Sequence, residues 1–423
     1  MNKVFFLIII SLMLWNIKPV GACTIFSCAR AGEVLVAANE DDSTPFTRIW
    51  YNPATKDRYG SVCFGAPDMQ VASAMNEYGL FFDFAADNYD LNKLKLDHPF
   101  DGFLMWEVLG KCKNVKEALN IIRKYDYNSP SQVLIADKEG NSVLVNPKGI
   151  IEKAGDFQVN SNCNILNGAI ACRRPEIAEQ ALSGSKENSI DFLKGVLDQT
   201  HQEEEKLSTL YSTICDLKRG VIYVYLFHNY RTPYKIDLKA ELKKGYRIEN
   251  LEDHFKPGYA YEQFSKNHSL YLKESIINEM TKNGVGITTD QYLAQCKASK
   301  AENPKLDAAL LEVALQLIKY CWNKESNGGM WDYWFNLPSG YRVQQLNDER
   351  LESAKKLLTY LSENDQKDAQ LRSFIFEMLA YVNLLQGDHS VAKAIYEKAI
   401  ANPEQAYQVT LIRAKEMINR MPK

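Results

Sequence analysis

The sequence predicts an α+β chain, a four-layer αββα sandwich over residues 23–255 followed by an all-α region over 256–423. Three observations carry this. Short apolar runs paired across Gly- and Asn-containing turns fill the first part, with helical stretches between them, which suits two packed antiparallel sheets flanked by helices. At Lys256-Pro257-Gly258 that pattern breaks, and beyond it the strand signals vanish in favour of helical periodicity. A length of 423 residues also exceeds one ordinary core and calls for two domains.

The first element is a leader. Lys3 supplies a positive start, Val4–Trp15 is apolar, and Val20-Gly21-Ala22 places small residues at both cleavage-site positions. Residues 1–22 therefore read as a signal peptide, and the protein is expected to be exported to a periplasmic, extracellular or outer-surface location. Cleavage after Ala22 makes Cys23 the first mature residue. An N-terminal Cys carries a thiol nucleophile and an α-amine that titrates near pH ~8, so the amine can take the thiol's proton without a histidine. The segment Val-Gly-Ala-Cys also reads as a bacterial lipobox. Lipidation of Cys23 would acylate the amine, remove the base and leave a membrane-held surface lipoprotein whose helical part binds a partner. Both readings are open on the leader alone.

The strands follow in order. Thr24–Ala29 alternates, Ala31-Gly32-Glu33 gives a turn, and Val34–Ala38 returns, ending in Asn39, Glu40, Asp41 and Asp42. A hairpin of this length brings its acidic end back beside residue 23, where a carboxylate can orient an amine through charge-assisted hydrogen bonds. Further pairs are expected at 71–75 with 80–85, 132–136 with 142–145, and 209–215 with 221–227, around turns at 76–79, 138–141 and 218–220. Helices are expected at 103–109, at 115–125 behind an Asn114 cap, at 175–182 and at 190–197.

The segment CTIFSCARAGEVLVAANEDD resembles the opening of the choloylglycine hydrolase group of N-terminal nucleophile hydrolases, whose relatives include penicillin V acylases, acid ceramidase-like amidases and isopenicillin N acyltransferases. Those chains begin Cys-Thr and close their first hairpin with Asn-x-Asp, which Asn39-Glu40-Asp41 matches. The resemblance implies that Cys23 is the nucleophile and that Asp41 contacts its amine, with Asn39 anchoring the hairpin end or the substrate. Ala38 stands where bile-salt hydrolases carry Arg, against bile-salt-like recognition. AMNEYGLFFDFAA (74–86) is similar to the second strand pair, but Ala86 occupies the place of an oxyanion-stabilising Asn, so a backbone N–H there or Asn88 must serve. FQVNSN (157–162) resembles the segment that supplies another transition-state amide, here Asn160. Residues 208–229 and 241–255 resemble the closing hairpin and the tail, without the arginine that some relatives carry ahead of that hairpin. The four-layer sandwich is also the fold this resemblance implies.

The expected activity is hydrolysis of linear amide C–N bonds, not peptide bonds, through a thioester, with no cofactor and no metal. Candidate catalytic residues are Cys23, Asp41 and Asn160, and candidate oxyanion or substrate groups are Asn39, Asp83 and Ala86. Asp83 is expected either in a strand-edge salt bridge or facing the substrate's amine side. The aromatic run Leu80–Phe84 beside the oxyanion position predicts small N-acyl amides with an apolar acyl group as substrates.

Composition excludes other classes. The net charge is −3, and loss of Lys3 and Lys18 with the leader makes it −5. A nucleic-acid partner would want a basic footprint instead. No apolar run after the leader is long enough to span a bilayer, so a membrane enters only through lipidation at Cys23. Nine cysteines form neither a zinc pattern nor a recognisable disulfide framework, and the eight besides Cys23 read mostly as free, buried thiols. None of the six histidines has a catalytic-looking setting. For a papain-like Cys–His pair His228 is the least unsuitable, and an ordinary strand-end role is the simpler reading.

In the all-α part, helices are expected at 262–282, 287–299, 305–323, 347–363, 367–386 and 389–401. The stretch FEMLAYVNLLQGDHSVAKAIYEKAIANP resembles a tetratricopeptide repeat, with Phe376, Leu379 and Ala380 in its first helix, Gly387-Asp388 as the turn, and Ala392, Tyr396 and Ala399 in its second. Such a unit stacks with neighbours and offers a surface to a protein partner. Trp331-Asp332-Tyr333-Trp334 reads as an aromatic loop suited to packing between domains or to covering the cleft.

Overall fold

In the computed structural model the first hairpin consists of β1 (Thr24–Arg30) and β2 (Glu33–Asp42). Their two-residue turn has Ala31 and Gly32 at φ of 50° and 83°, the left-handed pair whose twist matches that of the flanking strands. The described residues are 23–42, 45–67, 69–86, 97–98, 100, 103–127, 129, 131–162, 173–203, 207–256, 258–267, 271–298, 303–326, 347–363 and 368–421. The leader, Asn88, Cys163, Cys172 and the 331–334 aromatic segment lie outside them.

The hairpin sits in a six-stranded antiparallel sheet, ordered β10-β1-β2-β11-β12-β13, with β10 (Phe157–Ser161), β11 (Ser208–Asp216), β12 (Val221–Leu226) and β13 (Tyr234–Asp237). An eight-stranded sheet, ordered β14-β3-β4-β5-β6-β7-β8-β9, holds β3 (Arg48–Asn52), β4 (Ser61–Gly65), β5 (Val71–Asn76), β6 (Phe81–Ala86), β7 (Ser131–Ala136), β8 (Ser142–Asn146), β9 (Gly149–Glu152) and β14 (Arg247–Asn250). The inner faces bury a shared core that includes Ile25, Val36, Ala38, Ile49, Val62, Met75, Phe81 and Leu134. Ser27 Oγ and Ser142 Oγ meet across it at 2.8 Å.

Helices cover both outer faces. On the six-stranded sheet, α3 (Arg173–Gly184) and α4 (Ile190–Thr200) lay Ala178, Leu182, Leu193, Val196 and Leu197 over Phe26, Leu35, Ala37 and Ile214. On the other, α1 (Leu104–Lys111) is tied down by Asn76, whose Nδ2 donates to the Leu109 and Cys112 carbonyls at 2.8 Å each. The short α2 (Val115–Ile122) starts at Asn114, whose side chain caps the Glu117 amide as its sequence position implies. A short α5 (Leu238–Leu242) follows β13.

The chain divides into two compact units between residues 268 and 269. Helix α6 (Tyr259–Asn267), beyond the boundary expected at 255, belongs with the sheets, and Tyr261 Oη donates to the Pro45 carbonyl at 2.7 Å. The second unit is helical, with α7 (Tyr271–Asn283), α8 (Val285–Ala298), α9 (Pro304–Ser326), α10 (Glu349–Ser362), α11 (Ala369–Leu385), α12 (His389–Ala399) and α13 (Gln408–Arg420). Helix α11 ends at Gly387, φ 86°, where the Asp388 amide reaches the Asn383 carbonyl. Among the described residues no helix is long and apolar enough to cross a membrane.

One buried ion pair stands out in the helical unit. Glu377 of α11 accepts from Arg413 and Thr410 of α13, the latter at 2.6 Å, with both charged side chains almost fully enclosed. Glu377→Ala should cost about 3–5 kcal/mol, because it strands a buried guanidinium. A Glu377→Met/Arg413→Met double variant should recover most of that loss in chemical denaturation followed by circular dichroism.

Candidate active site

Strand alternation decides what meets Cys23. In the β1–β2 ladder Thr24 pairs with Asn39 and Ile25 with Ala38, and residues opposite one another share a face. Cys23 therefore shares the inner face with Ile25, Ala38 and Glu40, while Asn39 and Asp41 face the α3–α4 layer. The contacts agree. Cys23 Sγ lies 3.5 Å from Glu40 Oε2, whereas the Asp41 carboxylate accepts from Arg174 of α3 and from Thr209 Oγ1 of β11. The backbone amide of Asp41 does address the thiol. The carboxyl that touches Cys23 in this structure is thus that of Glu40, one residue before the aspartate singled out by resemblance.

Asn39 is saturated on the outer face. Its Nδ2 donates to the Leu197 carbonyl (2.9 Å) and Thr200 Oγ1 (3.1 Å), and its Oδ1 accepts from Ser212 Oγ (2.6 Å) and Tyr230 Oη (3.3 Å). It anchors the end of α4 to the hairpin and has no exposed surface to offer a substrate.

Asp83 is fully buried on β6, an interior strand between β5 and β7. The expected strand-edge salt bridge is therefore corrected: Asp83 shares a face with Phe81 and Ala85 and meets Glu40 across the inter-sheet space. Two carboxylates in contact form a hydrogen bond only when one carries a proton. Beyond that contact only the Phe84 amide favours the Asp83 anion, and weakly. Among the described residues neither Asp83 oxygen nor Glu40 Oε1 receives a well-formed hydrogen bond, and no lysine or arginine is among the groups that set the ionisation of the pair. The aromatic run is corrected too. Phe82 and Phe84 pack with Phe103 on the outer side, at ring distances of 6.3 and 5.9 Å, so they do not line the inter-sheet space.

Asn160 pairs with Ile25 and so lies on the inner face one strand over from Cys23. It is completely buried, with neither its amide nitrogen nor its oxygen bonded to the protein. A buried amide left without a partner costs about 1–3 kcal/mol. Ala86 ends β6 opposite Ser131.

The electrostatics follow from enclosure. Burial above all, then the charges of Glu40, Asp41 and Asp83, push the Cys23 thiol well above its ordinary range. Burial likewise raises Glu40 to about 7 and, against the pull of Arg174 and Thr209, Asp41 to about 6. Asp83 moves up for the same reason, reinforced by Glu40, and the buried Tyr211 phenol is driven up by burial and by the same carboxyl groups. A peptide-linked Cys23 is thus a protonated, silent thiol set among carboxyl groups that burial shifts towards their neutral form.

Sequence reasoning missed Arg174, Thr209 and Tyr211, which arrive from distant strands and a helix with no local signal. A cavity of about 370 Å³ lined by Asn52, Arg58, Tyr59, Trp106 and Tyr246 contains none of the candidate residues. Cys23, Cys28, Cys63, Cys112, Cys215 and Cys296 carry free thiols, as their apolar settings predict.

No protein-family model and no curated protein matches the sequence. Among solved structures the chain is similar to that of a mutant of conjugated bile acid hydrolase from Clostridium perfringens, at 16% identity and a TM-score of 0.43, over 56% of this chain and 97% of that one. It is also similar to penicillin V acylase from Agrobacterium tumefaciens, at 17% identity and a TM-score of 0.38, over 54% of this chain and 91% of that one.

The Glu40 pKa in the fold lies above its unfolded value, so the stabilisation from its bound proton is complete below pH about 4.5 and is lost as pH rises through about 7. A chain whose Cys23 remains peptide-linked should therefore lose stability between pH about 5 and 8, by up to roughly 3 kcal/mol. Glu40→Gln should flatten that decline in thermal melts across the range, and an unchanged slope would show that Glu40 is not the titrating group.

Proposed function

We propose that this protein is an exported N-terminal-cysteine amidohydrolase that cleaves linear amide bonds of small N-acyl substrates through a thioester. The observation that carries this reading is the seat of Cys23: a thiol at the head of β1, enclosed with Glu40 and Asp83, in a cluster that lacks one positive charge. Removal of residues 1–22 would supply that charge as the α-ammonium of Cys23, beside carboxyl groups to which no described lysine or arginine answers.

In this reading the free α-amine takes the proton from Sγ, and its cationic form offsets the carboxyl groups that hold the thiol protonated. The thiolate attacks the amide carbonyl. Asn160 Nδ2, held without a protein partner, and a backbone N–H near Ala86 receive the oxyanion, and a donor of this kind typically contributes about 2.7–4 kcal/mol to the transition state. The amine product leaves with the proton from the α-ammonium, and water activated by the α-amine then hydrolyses the thioester. Asp41 steadies the Cys23 sulfur through its backbone amide, in the position that Arg174 and Thr209 impose on its carboxylate, while Glu40 and Asp83 set the charge balance. The route uses no cofactor. Ala38 leaves no arginine at the place where bile-salt hydrolases carry one, which supports small apolar acyl groups over bile salts. The enclosed position of Sγ also disfavours the lipoprotein reading, since a diacylglyceryl chain on this atom would have to pass through the inter-sheet core. We read the α11–α12 hairpin, with Ala392, Tyr396 and Ala399 buried, as tetratricopeptide-like and as the surface for a protein partner.

A chain that starts Met-Cys23 and loses its methionine should hydrolyse amides, whereas one that starts Met-Ala22-Cys23 and resists trimming should be inert. Equal activity in the two would count against the mechanism. Cys23→Ser should fold normally and lose nearly all turnover, and Asp41→Asn should lose most of it without unfolding. Tested on penicillin V, N-acyl homoserine lactones, N-acyl amino acids and conjugated bile salts, the mature chain should turn over a bile salt slowest. Fastest turnover of the bile salt would overturn the substrate assignment, and no turnover of any amide would return the lipoprotein reading.

A further inference from the structure

The end of α4 and the end of β12 bring together three ligating side chains that the proposed reaction does not use. His201 follows α4 directly, Glu203 lies in the bridge to Ser208, and His228 follows β12. One ligand atom from each falls within 4.8 Å of the other two. We propose that His201, Glu203 and His228 form a binding site for a divalent transition-metal ion of the zinc class, with an open fourth position.

Three features of the local structure support this. The Nδ1 of His201 lies 2.5 Å from the Asp198 carbonyl, the backbone hydrogen bond that fixes the tautomer with Nε2 as the free lone pair and commonly backs a metal-bound histidine. The Nε2 of His228 is buried and meets no partner in the protein, while the Gln202 and Thr209 backbones act on the same ring. Phe227 and His228 both adopt left-handed backbone conformations, at φ of 45° and 62°. For two consecutive non-glycine residues this is costly, and such conformations gather where a side chain must be aimed. The His201 and His228 rings stack with centroids 4.4 Å apart and planes 29° from parallel. Two imidazoles held this close repel when both are protonated and bind well when both are neutral and share a cation.

The donor set selects the ion. Two imidazoles and one carboxylate suit zinc and its neighbours, whereas calcium and magnesium prefer all-oxygen sites. Tetrahedral Zn–N bonds of about 2.0–2.1 Å require donors about 3.3 Å apart, closer than the 4.8 Å limit seen here. Glu203 is exposed and can approach by a rotamer change, and the two half-buried imidazoles would turn towards a shared ion. A bound ion would pin the end of α4 to the end of β12. The amidase reading is not required for this inference.

The test is titration of the full chain, stripped with chelator, with Co²⁺ followed by visible absorption and with Zn²⁺ followed by calorimetry. One equivalent of Co²⁺ should give a ligand-field band that Zn²⁺ displaces. His201→Gln and His228→Gln should each weaken Zn²⁺ binding by at least about 100-fold, and Glu203→Gln, which alters only an exposed side chain, by about 10-fold. Circular dichroism will show whether the histidine variants fold. If they do not, the Glu203→Gln comparison decides alone. Absence of saturable 1:1 binding, or binding indifferent to Glu203→Gln and to the folded histidine variants, as when the free thiols take the ion, would overturn the proposal.

Discussion

The sandwich is organised around an unfavourable burial, that of Glu40 and Asp83 facing each other between the two sheets with no cation beside them among the described residues. Isolated buried carboxylates retain their protons instead of ionising, and both acids shift in that direction. The consequence spreads to every polar group in the cluster. Cys23 loses its thiolate and Tyr211 its phenolate, and Asp41 on the opposite face of the same strand needs Arg174 to be held as an anion. A fold that tolerates this arrangement must recover the cost elsewhere, and the apolar core shared by the inner faces supplies it.

How much of this is legible in the sequence depends on the range over which each feature is encoded. The first hairpin and the pairs around the turns at 76–79, 138–141 and 218–220 can be read because alternation and turn chemistry are local. Strands β3, β4, β9, β13 and β14 escape notice. They are four or five residues long, and sequences such as RIWYN and RIEN carry too few alternations to separate strand from loop. The acidic end of β2 is visible as a cluster, but only the ladder register shows that Glu40 and Asp41 point to opposite layers. Arg174 and the His201–Glu203–His228 group give no local signal, since their members converge from separate helices, loops and strands. Helix α6 falls on the wrong side of the breaker at 256–258 because helical periodicity does not reveal which core a helix joins.

Asn39 ties one end of the six-stranded sheet to its helical cover. One side chain uses both donor hydrogens and its acceptor oxygen on α4, β11 and the turn after β12. Aspartate at this position would keep the shape but lose the donors to Leu197 and Thr200 and bury a carboxylate beside acceptors. The same helix end carries His201, so the hairpin, α4 and β12 are tied together beside β1.

The free cysteines have a bearing on chemical durability. Disulfide exchange and peroxide oxidation proceed through the thiolate. Burial pushes Cys63 and Cys112 up to about 12 and raises Cys28, Cys215 and Cys296 as well. At neutral pH a thiol with a pKa near 12 is ionised in only about one molecule in 10⁵. Buried thiols of this kind are slow to cross-link or oxidise at neutral pH, whatever oxidant is present. Cys23 shares that inertness while it is peptide-linked, and only a chain that began at Cys23 would set a proton acceptor, its own α-amine, beside that sulfur.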